Sequence, residues 1–210
     1  NSAGLRPYTD FISGNGGTAT NQTRRGEYLL LCCELLVDAL EDVKNEWNEN
    51  GLNYRQEWLN LDNQSALRKI FNSFKAMSGT ELSGERIYTA YENENQEDEH
   101  SCFSDNTHRD IALNSLGLTN IYKGQYTRKD GSEISGYSFE DLIGTINSTL
   151  NSEYLTLREQ TTTKISEMYT PFDQAIILPN ERPKVLEVVL SLQNEETKIL
   201  EIAELFDIKF

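Results

Sequence analysis

The sequence predicts an all-α protein built from helical bundles. Apolar residues recur at three- and four-residue spacing over several long stretches, the period of an amphipathic helix. No segment alternates apolar and polar residues between hairpin turns as a half-buried strand would. No short-period repeat is visible, which disfavours a solenoid.

Residues 1–20 are rich in Gly, Ser, Thr and Asn and read as loop. A strong helix is predicted over 24–47, where Tyr28, Cys32, Leu35, Leu36, Ala39, Leu40, Val43 and Trp47 keep helical spacing. Asn50-Gly51 is the expected stop, with Gly51 as a left-handed cap. A short helix is predicted over 54–59. The next long helix starts after an Asp62 cap and runs through Leu67, Ile70, Phe71, Phe74 and Met77. Gly79 and Gly84 interrupt it or allow close packing, and the pattern resumes at Ile87, Tyr88 and Tyr91. After a turn at 93–96, a helix is predicted over 97–116, stopped by Gly117. Residues 118–137 hold three glycines among tyrosines and read as an ordered loop with room for one short helix or hairpin. Ser138-Phe139-Glu140-Asp141 resembles a capping box and opens a helical stretch reaching Met168. Its core candidates are Leu142, Ile143, Ile146, Leu150, Leu155, Leu157 and Ile165. Thr170-Pro171 is read as N-cap and first helical residue. A last helix covers 182–206, with Val185, Val188, Val189, Leu192, Ile199, Ile202, Ala203 and Phe206 on its apolar side.

The predicted 97–116 helix opens on the chemistry-bearing part of the chain, QEDEHSCFSDNTHRD (96–110), which holds both histidines of the protein. At about 100° per residue, Asp98, Glu99, Asn106, Arg109 and Asp110 fall on one face, read as solvated. Phe103 and Ile111 flank the opposite face, with Glu97, His100, Ser101, Ser104 and His108 between them. A core-facing helix should carry an apolar stripe there. Polar groups turned inward need partners, so another polar face, water, a metal or a substrate is expected.

Composition narrows the functions. The chain has 210 residues, enough for one large domain or two small ones. A net charge of −15 disfavours nucleic acid and anionic membranes as partners and weakly favours cations, although the same acidity serves solubility. No apolar run approaches the roughly 20 residues of a membrane span. The chain starts at Asn1 with no signal peptide and reads as a fragment of a longer protein. The three cysteines form no disulfide framework and no zinc pattern. Cys32 and Cys33 read as small buried thiols on an apolar helix, and a bridge from either to Cys102 stays open.

Several segments together resemble the imelysin family, also called peptidase family M75, bacterial cell-envelope proteins tied to iron uptake. They are RPYTDF (6–11), TRRGEYL (23–29), ELSGERIYTA (81–90), the 96–110 segment, NIYKGQY (120–126) and PFDQAI (171–176). The resemblance implies two similar helical bundles with a functional cleft between them. The family's Gly-x-His-x-x-Glu motif, proposed to hold a metal, is absent here. On that reading the N-terminal part is missing: residues 1–61 complete the first bundle and residues 62–210 form the second. Periplasmic or outer-membrane-associated placement is implied in the same way.

Three functions are open to such a chain. The first is binding of iron, another divalent metal or an iron-containing ligand. Glu97 and His100 lie three apart on one predicted helix face, and Asp105 and His108 repeat that spacing; oxygen and imidazole suit iron. Glu97, His100 and His108 are the candidate metal ligands, with Ser101, Ser104 and Asp105 as candidate ligand contacts. Arg6, Arg24 and Arg25 could grip a carboxylate or pair with these acids, with Tyr8 and Asp10 lining the same cleft. A structural hydrogen-bond network is the competing reading. The second function is a metallopeptidase, for which no His-Glu-x-x-His is present; Ser101 or Ser104 with His100 would be the only nucleophile pair. The third is a docking module for an envelope iron transporter, using the tyrosine-rich 122–137 loop.

Overall fold

A computed structural model describes residues 7–210. The chain divides into two compact units, Asn1–Ala66 and Leu67–Phe210. As expected, the protein is all-α apart from one small hairpin.

In the first unit, a 3₁₀ turn Tyr8–Phe11 precedes α1 (Gln22–Glu46). The helix ends on Trp47, whose N–H bonds the carbonyls of Lys44 and Asn45, so Gly51 is not its cap. No residue of α1 is buried. Tyr28, Leu35, Leu36, Leu40 and Val43, which set the helical spacing, are exposed, and so are Cys32 and Cys33, expected to be buried. Cys102 is buried, and all three thiols are free. In α2 (Tyr54–Leu59), Asn53 is the N-cap and accepts from the Gln56 N–H. Tyr54 meets Trp47 edge-on at 5.4 Å, which ties α2 to the end of α1.

Asp62 caps α3 (Asn63–Lys75) as predicted: its carboxylate accepts from the Ser65 N–H at 2.9 Å and the Ser65 hydroxyl at 2.7 Å. Gly79 and Gly84 do not break the helical path. The chain continues as a wide π-helical segment, Ala76–Tyr88, and then α4 (Thr89–Asn93). A Cβ on Gly79 would lie 2.1 Å from the Glu196 carboxylate, so the glycine admits that side chain.

The predicted 97–116 helix forms only from Thr107 onward. A 3₁₀ turn Gln96–Asp98 leads into turns over 99–106, and α5 runs from Thr107 to Lys123. Gly117 lies inside α5; the stop is Gly124, in left-handed conformation. Next come β1 (Gln125–Thr127) and β2 (Glu133–Ser135), antiparallel with Tyr126 opposite Ile134. Tyr122 belongs to α5 and the core, while Tyr126 and Tyr137 are exposed. Gly124 has φ +59°, and a Cβ there would sit 2.9 Å from the Gly136 carbonyl oxygen. Gly124→Ala is therefore expected to cost about 1–2 kcal/mol, read as a lower urea midpoint with unchanged slope.

The Ser138 capping box forms in full: the Ser138 hydroxyl accepts from the Asp141 N–H, and the Asp141 carboxylate accepts from the Ser138 N–H. It starts α6 (Phe139–Ile146). The helical stretch predicted to reach Met168 is two helices, because Asn147 breaks it and caps α7 (Ser148–Glu167) through the Leu150 N–H. The short α8 (Phe172–Ala175) has Pro171, not Thr170, as N-cap. The last helix, α9, runs from Arg182 to Glu204.

The core of the second unit is two apolar clusters. Leu82, Ile87, Ile111, Ile165, Phe172, Val185, Val188 and Leu192 belong to one. Phe71, Phe74, Leu118, Tyr122, Ile143, Tyr154, Ile199 and Ile202 belong to the other. Helices α5, α7 and α9 each contribute to both.

Candidate functional site

The segment 96–110 folds as a compact set of turns leading into α5. Asn93 and Asn95 both donate to the Asp98 carboxylate, at 2.9 and 3.1 Å, and the Asn95 side chain also accepts from the Glu97 N–H. Further on, the Ser101 N–H bonds the Thr107 hydroxyl at 3.2 Å, and the Ser104 N–H the Ser101 carbonyl. Asp105 takes a left-handed conformation, φ +53°, which Asp tolerates better than most residues.

Because this stretch is not one helix, its faces differ from those drawn on a helical wheel. Glu97, His100, Phe103 and Ser104, predicted to face inward, are exposed. Glu99 and Asp110, predicted to be solvated, point inward: Glu99 is only 6% exposed and Asp110 is half-buried. Ser101, Asp105 and His108 are partly buried.

Asp110 is the hub. Its carboxylate accepts from the Ser101 hydroxyl and, at 2.9 Å, from the Asn106 amide, and the His100 Nδ1 stands 3.7 Å from it. Its carbonyl accepts from Asn114, whose side chain in turn accepts from Arg86 at 3.1 Å. Ser101 is thus turned to a carboxylate, and the Ser104 hydroxyl to the Ser101 carbonyl. Neither bonds His100, so the serine–histidine pair considered as a nucleophile is not assembled.

The same segment buries polar atoms that make no hydrogen bond of full geometry. Both oxygens of Glu99, Oδ1 of Asp105 and Nδ1 of His108 are buried in that state. Burial pushes the Glu99 carboxyl up to about 7; Asp173 and Asp105 add repulsion, and the Thr107 hydroxyl offsets part of it. The Asp173 carboxylate itself accepts from the backbone and side-chain amides of Gln174.

The buried oxygens of Glu99 and Asp105 and the imidazole of His108 match iron's donor preferences in kind. Among the described residues, no three His, Cys, Asp or Glu side chains are grouped so as to hold a metal ion. The predicted trio Glu97, His100 and His108 is therefore not gathered into such a site.

The arginine-centred group lies in the first unit. Arg24 is exposed, and Arg25 donates to the Thr20 carbonyl at 3.0 Å. Both line a surface cavity of about 580 Å³ with Phe11, Tyr28 and Cys32. Asp10 accepts from the Thr18 hydroxyl at 2.8 Å, a loop-closing role, and Tyr8 is 77% exposed. Arg6 lies outside the described residues.

Sequence reading missed the inward turn of Glu99 and Asp110. The signal was present: Asp105-Asn106-Thr107 is a run of cap-forming residues, and α5 does begin there. A family model described as Imelysin, peptidase M75, matches residues 1–199. No curated protein matches the chain.

Proposed function

This chain belongs to the imelysin family, and from that premise we propose that it serves iron uptake in the bacterial cell envelope by binding an iron-containing ligand. The ligand site is the set of turns before α5, with Glu99, Asp105 and His108 at its centre and Glu97, His100, Ser101 and Ser104 at its rim. The observation that carries this reading is the buried Glu99 carboxylate, which has no hydrogen bond of full geometry and is eased only in part by the Thr107 hydroxyl, in a segment that also buries Oδ1 of Asp105 and Nδ1 of His108 without partners. Groups left in that state are costly to the fold, and functional sites are where such cost is retained. Hard oxygen and imidazole donors suit iron. The site lacks a third converging ligand, which favours iron that brings part of its coordination shell over a bare ion. The peptidase alternative has no assembled nucleophile to support it, since the Ser101 hydroxyl serves Asp110.

Calorimetric titration with ferric citrate and with ferrous iron tests the reading. Glu99→Gln and Asp105→Asn are expected to weaken binding at least tenfold, and changes at the exposed Glu97 and His100 less than threefold. Equal affinity in all four variants, or none in the parent, would remove these turns from any iron site.

A further inference from the structure

A second buried polar group lies away from the turns, in the middle of the core. Arg158 on α7 is 3% exposed and Glu195 on α9 is wholly buried. The Arg158 guanidinium pairs with Glu195 through Nη1. Its Nη2 donates to the Ser115 carbonyl, to the Ser115 hydroxyl at 3.1 Å and to the Thr119 hydroxyl at 2.7 Å, all on α5. One turn along, the Thr161 hydroxyl of α7 meets that of Ser191 on α9 at 2.8 Å.

These residues form a layer between the two apolar clusters. On α5 the clusters are represented by Ile111 and by Leu118 and Tyr122, with Ser115 between. On α7 they are Ile165 against Leu150 and Tyr154, with Arg158 and Thr161 between. On α9 they are Val188 and Leu192 against Ile199 and Ile202, with Glu195 between and Ser191 next to Leu192 at the layer's edge. All three helices change cluster at the same level.

We propose that this polar layer is a register lock: it fixes the axial position of α5 against α7 and α9. The apolar clusters alone do not fix that position well, because aliphatic side chains pack acceptably after a slide of one turn, about 5.4 Å. The same slide would drive Arg158 or Glu195 into an apolar cluster, where an unpaired charge is far more costly than a packing defect. A single buried polar position sets register in coiled coils in the same way, with some loss of stability. The locked helix is the one whose first turn carries Thr107, His108 and Asp110, so the layer also positions the candidate site.

The test is the double variant Arg158→Met with Glu195→Leu in the full chain, which removes both charges and roughly keeps volume. It is expected to unfold at the same urea concentration as the parent or higher, yet to exchange the amide hydrogens of 111–118 at least tenfold faster, with more than one set of methyl resonances for Ile111 and Leu118. Single resonances and parent-like exchange would overturn the lock, because packing alone would then set the register. A double variant as unstable as Arg158→Met alone would overturn it too, because the layer would then be needed for stability itself. None of these readouts depends on iron binding.

Discussion

Replacing Arg158 with methionine alone is expected to cost about 3–5 kcal/mol of folding stability. The mechanism is the stranding of Glu195, which is wholly buried. Burial already holds the Glu195 carboxyl above the ordinary carboxylate range, and Arg158 is the chief influence opposing that rise. Without the guanidinium, Glu195 must either stay ionised in an apolar setting or take up a proton. The second route is cheaper, which gives the loss a pH dependence of known sign. A carboxyl whose folded pKa lies above its unfolded value contributes its stability fully below the unfolded value and loses it as pH rises through the folded one. The variant should therefore be closest to the parent in mild acid and furthest from it at pH 8. Urea unfolding at both pH values checks this. A loss below about 1 kcal/mol at pH 8 would mean that water reaches Glu195 and that the layer is not dry. Glu195→Gln should cost less, because the guanidinium keeps its three acceptors on Ser115 and Thr119.

The same pair shows how much the sequence held. Helical periodicity located α1, α3, α7 and α9 because each has a long apolar phase. That phase also contained the layer: Leu150, Tyr154, Arg158, Thr161 and Ile165 run at spacings of four, four, three and four, and Leu192, Glu195, Ile199 and Ile202 at three, four and three. Reading only apolar residues as core hid the two charged members. The turns before α5 failed for a different reason. A wheel drawn through 97–116 presumes one helical phase, but Asp105 in left-handed backbone and the Asn106–Thr107 start reset it. Glu97, Glu99, His100, Phe103 and Ser104, all before the reset, were thus assigned to the wrong face. The helix α1 was read correctly from spacing, yet spacing names no partner, and Tyr28, Leu35 and Leu40 stand exposed. Gly79 illustrates the remaining limit: a glycine in a helical stretch reads equally as a break or as a place of close packing until the side chain that occupies its place, here Glu196, is seen.

Glu99→Gln is expected to stabilise the protein at pH 8 while weakening it as a binder. In the parent, the Glu99 carboxyl is raised from 4.5 to about 7 by burial, with Asp173 and Asp105 adding to the rise. Its contribution to stability is complete below about pH 4.5, declines from there and is lost as pH passes 7. A shift of that size corresponds to about 3 kcal/mol between the two limits. A neutral amide of the same shape carries no such penalty, so the variant should gain most at pH 8 and little in mild acid. The gain and the loss of affinity have one origin: burial disfavours the ionised Glu99 carboxylate, and a bound cation would relieve that penalty. Stabilising changes at such positions commonly cost function. Urea midpoints between pH 4.5 and 8, set beside the iron titrations, separate the outcomes. A pH-independent difference between parent and variant would show that the Glu99 carboxylate is already satisfied by water. The turns before α5 would then hold no unspent electrostatic energy, and the case for them as the ligand site would rest on their donor types alone.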